Sequence, residues 1–172
     1  MPTVFGVIMA GGVGTRFWPR SREKTPKQAL EITGKETMIQ STAGRLKRMI
    51  DPRNLFIITN KMQRALLAKQ LSYVPDDNIL DEPVGRNTAP CIGLAALHCR
   101  RADPDAVMVV LPADHVIQND EEFLRILGVA SETAYESSSL LTIGIKPRHP
   151  ETGYGYIPVS YTHLTLPTSD LV

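Results

Sequence analysis

Four apolar runs rich in β-branched residues recur along this chain, and they constrain its fold more than any other feature of the sequence. The runs lie at residues 4 to 9, 54 to 59, 106 to 111 and 139 to 145. Runs that are apolar throughout, rather than alternating with polar residues, are typical of strands buried on both faces of a parallel sheet. We therefore predict a strand at each of the four positions.

Segments with apolar residues at helical spacing separate these runs. They span residues 37 to 50, 61 to 72, 120 to 137 and an Ala-rich stretch from 91 to 101 that follows a short strand-like NIL. We expect Asp120 to cap the helix that it begins. The alternation predicts an α/β fold, a Rossmann-like, mostly parallel sheet flanked by helices. In such sheets ligands bind beyond the carboxyl ends of the strands, so motifs that follow the strands should share one site.

Composition narrows the classes of protein that fit. With 172 residues, of which 42% are hydrophobic, the chain can bury a core, and one domain is expected. A net charge of +1 gives no sign of a nucleic-acid partner or of attraction to a membrane surface. Cys91 and Cys99 fit core thiols better than a zinc site or a disulfide framework. No leader sequence or membrane-spanning stretch is recognisable, so we expect a cytoplasmic protein.

The segment AGGVGTRFWPRSREKTPKQ, residues 10 to 28, follows the first predicted strand and has the layout of a phosphate-handling loop. Its glycines, Gly11, Gly12 and Gly14, would let the backbone turn sharply and approach a ligand closely. Backbone N–H groups exposed by such a turn form a cradle for anions. Arg16 and Lys27 can add positive charge, the arginine as a planar fork and the lysine as a movable point charge. The segment therefore predicts a site for a nucleoside triphosphate.

Two better-known glycine loops fit this segment poorly. A P-loop needs G-x-x-x-x-G-K-S/T, and a dinucleotide fingerprint needs a third glycine where Phe17 stands. The segment closely resembles the signature of sugar-nucleotide pyrophosphorylases. Three short strings narrow the resemblance to the mannose-1-phosphate guanylyltransferase family. They are the pairs Trp18-Pro19 and Ser21-Arg22 and the triplet Pro26-Lys27-Gln28.

This resemblance implies a nucleotide-diphospho-sugar transferase fold and a Mg²⁺-dependent reaction. In that reaction GMP passes from GTP to α-D-mannose 1-phosphate, giving GDP-mannose and pyrophosphate. The resemblance makes Arg16 and Lys27 the expected catalytic residues, and it assigns Gly11, Gly12, Gly14 and Thr15 to nucleotide binding. A full-length protein of this kind could form a homo-oligomer.

A second motif, EPVGRNTAP at residues 82 to 90, precedes the Ala-rich helix. Asn87 or Thr88 can cap that helix, whose first N–H groups would then face an anion. The motif is similar to the family's nucleotide-pocket segment, which implies binding roles for Glu82, Gly85, Arg86, Asn87 and Thr88. We hypothesise that the Glu82 carboxylate accepts hydrogen bonds from guanine N1–H and its 2-amino group. The alternative is a solvated Glu82 beside an ordinary helix cap.

A third motif, LPADH, ends the most apolar run and places Asp114 just past it. A single aspartate can be half of a magnesium site, because Mg²⁺ takes one or two protein carboxylates together with substrate phosphates and water. The resemblance likewise makes Asp114 the metal-binding aspartate. A turn or helix-cap role is the alternative for an aspartate after a strand.

A turn-rich string, GIKPRHPETGYGYI, resembles the family's sugar-phosphate loop. It implies contacts of Gly153 and Tyr154 with the hexose, whereas on chemistry alone the string could equally be an aromatic hairpin turn. Beyond it, SYTHLTLPT is similar to the translation of a transposase adapter used in DNA library preparation. We therefore expect an incomplete nucleotidyltransferase domain at 1–159, inactive as it stands, followed by a non-native tail at 160–172.

Two alternatives to a guanylyltransferase stay open at this point. One is a related nucleotidyltransferase that uses another base or another hexose phosphate. The other is a non-catalytic domain that binds a nucleotide without transferring it.

Overall fold

The computed structural model describes residues 2–12, 17–22, 25–32, 34–147, 149–150 and 156. In chain order its strands and α-helices are β1 (Val4–Met9), α1 (Met38–Leu46), β2 (Leu55–Asn60), α2 (Lys61–Gln70), β3 (Ile79–Glu82), α3 (Thr88–Ala102), β4 (Val107–Pro112) and α4 (Asp120–Ser137). The chain divides into two compact units, Met1–Val116, which holds the sheet, and Ile117–Val172, which holds α4. None of the helices in the described part is long and apolar enough to cross a membrane.

The four strands form one parallel sheet in the order β3-β2-β1-β4. This order confirms the predicted α/β fold. Within the sheet Gly6 of β1 pairs with Leu55 and with Val109, and a Cβ atom at Gly6 would lie 2.6 Å from Leu55 Cδ2. The central strand therefore needs a glycine at this position for close packing.

Helices of the first unit cover both faces of the sheet. On one face, α3 packs against β1, β2 and β4 over a cluster of buried side chains. This cluster consists of Phe5, Val7, Phe56, Ile58, Leu80, Cys91, Ala95 and Cys99. On the other face, α1 lies against β1, and α2 lies against β2 and β3. Successive residues of a strand point to opposite faces, so strands covered on both sides must be apolar throughout, as predicted.

The predicted cysteine environment is confirmed. Cys91 and Cys99 are both free and buried on α3. Burial raises the pKa of each thiol to about 11, and the nearby negative charge of Glu82 adds to the shift at Cys91. Both thiols are therefore protonated at neutral pH and are unsuited to nucleophilic or metal-ligand roles.

Two local predictions are wrong. The run at 139 to 145 forms no strand, since residues 139–147 have no regular secondary structure and Leu140 is fully exposed. A strand exists only where a neighbour takes up its backbone hydrogen bonds, and an apolar pattern does not supply that neighbour. Asp120 does not cap α4, because Asn119 occupies the cap position and its side chain accepts from the Glu122 N–H. An uncharged amide one position earlier has the geometry that the cap needs.

Candidate functional site

The parallel sheet brings the carboxyl ends of its four strands to one edge, and the sequence motifs follow those ends. Gly11 and Gly12 follow β1, Asn60 ends β2, Glu82 ends β3, and Asp114 comes just after β4. Ligands of open α/β sheets bind outside this edge. The candidate site is therefore built from segments that are distant in the sequence.

Lys27 and Asp114 meet in an ion pair that joins the first motif to the third. Lys27 Nζ lies 3.1 Å from Asp114 Oδ2, although the two residues are 87 positions apart. The ammonium also lies 4.4 Å from the centroid of the Phe17 ring, a cation–π distance. These two contacts fix the position of Lys27, which begins a single 3₁₀ turn, Lys27–Ala29.

The backbone next to Asp114 is anchored on both sides. The Ala113 N–H donates to the Met9 carbonyl at 3.1 Å, and the Ala113 carbonyl accepts from Thr42 Oγ1 at 3.5 Å. Ala113 itself is buried, whereas the Asp114 side chain is 43% exposed. The Asp114 carboxylate therefore lies at the open rim of the sheet, next to a backbone that is held by two hydrogen bonds.

Gly11 lies directly against the carboxylate of Glu82. A Cβ atom at Gly11 would come within 2.8 Å of Glu82 Oε2, whereas a Cβ atom at Gly12 would meet nothing within 4 Å. The φ angles of both glycines lie outside the left-handed region. These two positions therefore do not need glycine for access to positive φ angles. A side chain at Gly11 would displace the flexible end of Glu82, and Gly12 leaves open space above the backbone.

Partial burial affects the protonation of Glu82. Desolvation raises the pKa of this carboxyl above its usual value. In its ionised form the group accepts hydrogen bonds through both oxygens, and the partly desolvated setting strengthens such bonds. Glu82 therefore suits recognition of N–H donors.

The rest of the second motif leads into α3. Gly85, Arg86, Asn87 and Thr88 are exposed, and Asn87 occupies the N-cap position with φ 63°. The Asn87 side chain makes no capping hydrogen bond, so Asn87 is the cap by position but not by the predicted side-chain contact. The unpaired N–H groups of the first turn form an electropositive end that suits an anion.

Three polar residues lie behind the glycine loop, of which sequence reasoning missed Asn60 and Gln63 and named Gln28 only within the PKQ triplet, without a role. Gln28, Asn60 and Gln63 all contact the backbone of residues 10 to 12 or one another. For Asn60 and Gln63 the available signal was the pattern Asn-x-x-Gln after an apolar run, which is typical of a helix N-terminus. That pattern predicts a cap but not the contact with the loop.

Five predicted site residues, Gly14, Thr15, Arg16, Gly153 and Tyr154, lie outside the described residues, as does the tail at 160–172. Within the described ranges no group of three or more His, Cys, Asp or Glu side chains could hold a metal ion. Asp114 alone nevertheless fits a magnesium site, since it offers a hard oxygen donor at a partly exposed rim and Mg²⁺ can be held by one protein carboxylate together with phosphate oxygens and water.

The sequence of this chain is similar to sequences of known proteins. Residues 5–165 match the sequence profile described as nucleotidyl transferase. A mannose-1-phosphate guanylyltransferase of Escherichia coli is 48% identical over 153 residues, which cover 88% of this chain and 32% of that protein. The xanthan biosynthesis protein XanB of Xanthomonas campestris pv. campestris is 44% identical over 159 residues, covering 91% and 34%. The chain thus spans about a third of the length of the curated relatives it matches.

A solved structure has a similar fold. The crystal structure described as a mannose-1-phosphate geranyltransferase from Thermus thermophilus aligns with a TM-score of 0.67 and 31% sequence identity. The alignment covers 77% of this chain and 38% of that one.

Proposed function

The chain belongs to the nucleotidyl transferase family, and from that premise we propose that it forms the nucleotide-binding part of a mannose-1-phosphate guanylyltransferase. The reaction transfers GMP from GTP to α-D-mannose 1-phosphate and yields GDP-mannose and pyrophosphate. A sequence identity of 48% to the mannose-1-phosphate guanylyltransferase of Escherichia coli supports this choice within the family.

The ion pair between Lys27 and Asp114 is the observation that carries the proposal. It places a cation and a carboxylate of the kind that binds metals 3.1 Å apart at the edge where ligands of parallel sheets bind. The glycine loop leads to the same edge. A triphosphate bound there would meet backbone N–H groups, a positive side chain and a carboxylate suited to a divalent cation.

The transfer needs no covalent enzyme intermediate. A phosphate oxygen of mannose 1-phosphate attacks the α-phosphorus of GTP, the bond from that phosphorus to the bridging oxygen breaks, and pyrophosphate leaves with the electron pair. Catalysis therefore comes from positioning and from stabilisation of negative charge. Lys27 offsets charge on the phosphates, and Arg16 is proposed to do so as well.

Mg²⁺ is the divalent cation that we propose, held by Asp114 together with substrate phosphates. When bound, it would neutralise phosphate charge and make the α-phosphorus easier to attack. Asp114 can serve this role because its carboxylate projects from an anchored backbone at the rim.

Base selection is proposed for Glu82. Guanine presents N1–H and a 2-amino group side by side, and a carboxylate accepts from both. Adenine and the pyrimidines lack that arrangement. Gly85, Arg86, Asn87 and Thr88 would line the same pocket, and Gly153 and Tyr154 would contact the hexose.

The direct test uses the protein expressed from its complete gene. Purified protein is incubated with Mg²⁺, mannose 1-phosphate and either GTP, UTP or dTTP, and the sugar nucleotide and pyrophosphate are quantified. GDP-mannose formed from GTP, with much slower reaction of the other two, is the expected result.

Two other outcomes identify the alternatives. Faster reaction with UTP or dTTP, or with glucose 1-phosphate, would assign the chain to another nucleotidyltransferase activity. Tight GTP binding without any sugar nucleotide would favour a non-catalytic nucleotide-binding domain.

A further inference from the structure

A buried glutamine lies behind the glycine loop and bonds to its backbone. Gln28 is 5% exposed, and its Nε2 lies 2.5 Å from the Ala10 carbonyl oxygen and 3.1 Å from the Gly12 carbonyl oxygen. The same nitrogen lies 3.1 Å from Gln63 Oε1. The two N–H bonds of one amide group thus face three acceptors, two carbonyls of the loop and one side chain of α2, so that one hydrogen is shared.

These neighbours determine which way the Gln28 amide faces. All three contacts of its nitrogen are oxygen acceptors, and two of them are backbone carbonyls that cannot become donors. A flipped Gln28 amide would bring its own oxygen against those carbonyls. Gln63, only 1% exposed, must then present its oxygen rather than its NH₂ group.

The first turn of α2 supplies a second contact. Asn60 accepts from the Gln63 N–H at 3.0 Å as the helix cap, and its Nδ2 donates to the Gly11 carbonyl at 3.4 Å. Three successive loop carbonyls, those of Ala10, Gly11 and Gly12, are therefore bound by side chains. We call Gln28, Asn60 and Gln63 the carbonyl clamp.

Binding the carbonyls also orients the N–H groups of the loop. In a trans peptide the C=O and the following N–H point in opposite directions. Fixing the Ala10 carbonyl therefore directs the Gly11 N–H away from the clamp, and fixing the Gly11 carbonyl does the same for the Gly12 N–H. These are the donors that an anion cradle requires.

We propose that Gln63 and Asn60 are positioning residues for the glycine loop, which they orient through Gln28 and through the Gly11 carbonyl so that its N–H groups can bind the triphosphate. The inference rests on the proposed function for the identity of the ligand, but the orientation of the loop can be measured without any ligand.

The test compares three variants in the protein expressed from its complete gene. Gln63→Met removes the acceptor for Gln28 at similar side-chain length, and Gln63→Glu keeps an acceptor oxygen. Asn60→Asp keeps the helix cap but loses the donor to Gly11. The matched control is Gln40→Met on α1, which loses bonds to the Thr37 N–H and to the Gln70 carbonyl but does not touch the loop.

Two quantities are measured for each variant: hydrogen exchange of residues 10 to 12 in nucleotide-free protein, and GTP affinity by calorimetry. We expect Gln63→Met to speed exchange at these residues and to weaken GTP binding about tenfold, the order expected for one lost buried hydrogen bond. Gln63→Glu should restore both quantities toward wild type. Asn60→Asp should reproduce the loss with α2 intact, and Gln40→Met should change neither quantity.

Exchange in the loop that is unchanged in both Gln63→Met and Asn60→Asp overturns the proposal. If Gln63→Met fails to fold, the Asn60→Asp result decides alone. If the wild-type protein makes no GDP-mannose, the proposed function fails, and the exchange comparison still decides whether the clamp orients the loop.

Discussion

Gly11 lies so close to the Glu82 carboxylate that a side chain there would displace it, and this contact gives a prediction about base recognition. The new methyl of Gly11→Ala would lie 2.8 Å from Glu82 Oε2, which is the far end of a flexible side chain. Glu82 can swing aside at little cost, so the free energy of unfolding should change by less than about 1 kcal/mol. The preference for GTP over UTP should fall about tenfold, because a displaced carboxylate would lose the bonds to guanine that we propose for it.

Calorimetry with GTP and with UTP, beside thermal unfolding, checks this expectation. Gly44→Ala is the control, since a Cβ atom there meets nothing within 4 Å and the residue lies inside α1. It should stabilise the protein by up to about 1 kcal/mol and leave nucleotide binding unchanged. Full retention of GTP preference in Gly11→Ala would remove Glu82 from base selection.

Burial of Glu82 predicts a pH dependence of stability. The pKa of this carboxyl is raised above its ordinary value of 4.5, so the folded protein binds the proton more tightly than the unfolded chain does. As the pH rises from 4.5 to the raised pKa, Glu82 therefore lowers the free energy of unfolding. Above the raised pKa this loss of stability stays constant. Glu82→Gln removes the titration, so the variant should gain stability relative to wild type across this window.

Thermal unfolding of both proteins from about pH 4 to about pH 7 measures the effect. The difference in melting temperature should be small at the acidic end, grow with pH and then level off. A difference that is the same at every pH would mean that Glu82 does not titrate differently in the folded protein.

At the scale of the secondary-structure elements, the sequence predicts well wherever a local pattern decides the outcome. β1 and α4 occur at the predicted positions, 4 to 9 and 120 to 137, because continuous apolar runs and helical spacing are local signals. The run at 139 to 145 has the same signal as β1 yet forms no strand, since strand formation depends on a partner elsewhere in the chain. The apolar residues at helical spacing continue to residue 50, but α1 ends at Leu46, so the spacing alone predicts a helix that is too long.

The N-terminus of α3 gives a prediction about backbone strain. Asn87 has φ 63° and ψ −161°, a region that is nearly exclusive to glycine, and its side chain makes no capping bond that would compensate. Asn87→Gly should therefore stabilise the protein by about 1 kcal/mol, and Asn87→Ala should destabilise it by a similar amount. Thermal or denaturant unfolding measures both.

Ser138, with φ 49° at the end of α4, provides the matched control for strain. Ser138→Gly should also be stabilising, and it should leave GTP affinity unaffected because Ser138 belongs to no predicted site. If Asn87→Gly destabilises the protein, the Asn87 side chain has a structural role that the cap geometry does not reveal.

At the scale of the whole molecule, the candidate site depends on contacts that cannot be predicted from any single motif. The motifs at Lys27 and Asp114 could each be recognised in the sequence, and the parallel fold implied that they would share an edge. Their direct ion pair across 87 positions could not be predicted, because it depends on the side-chain geometry at the rim. The carbonyl clamp could not be predicted for the same reason, since Gln28 and Gln63 come from separate segments and the PKQ triplet does not reveal the contact between them.

The Lys27–Asp114 pair gives the last prediction, which concerns metal binding. In nucleotide-free protein the ammonium lies 3.1 Å from the carboxylate that a divalent cation would use, so the two cations compete for it. Lys27→Met should therefore raise the affinity of nucleotide-free protein for Mn²⁺ by about fivefold, a modest factor because both side chains are partly exposed. Paramagnetic resonance of free Mn²⁺ measures this directly, and Lys27→Arg, which keeps the charge, should bind Mn²⁺ as weakly as wild type. Lys69→Met, at the exposed far end of α2, should not change Mn²⁺ affinity, and Asp114→Asn should weaken Mn²⁺ binding.

The same Lys27→Met variant should lose turnover, because the phosphates lose a positive partner. Unchanged Mn²⁺ affinity in Lys27→Met would show that the Lys27 ammonium does not compete with a divalent cation for Asp114, and that Lys27 acts on the phosphates alone.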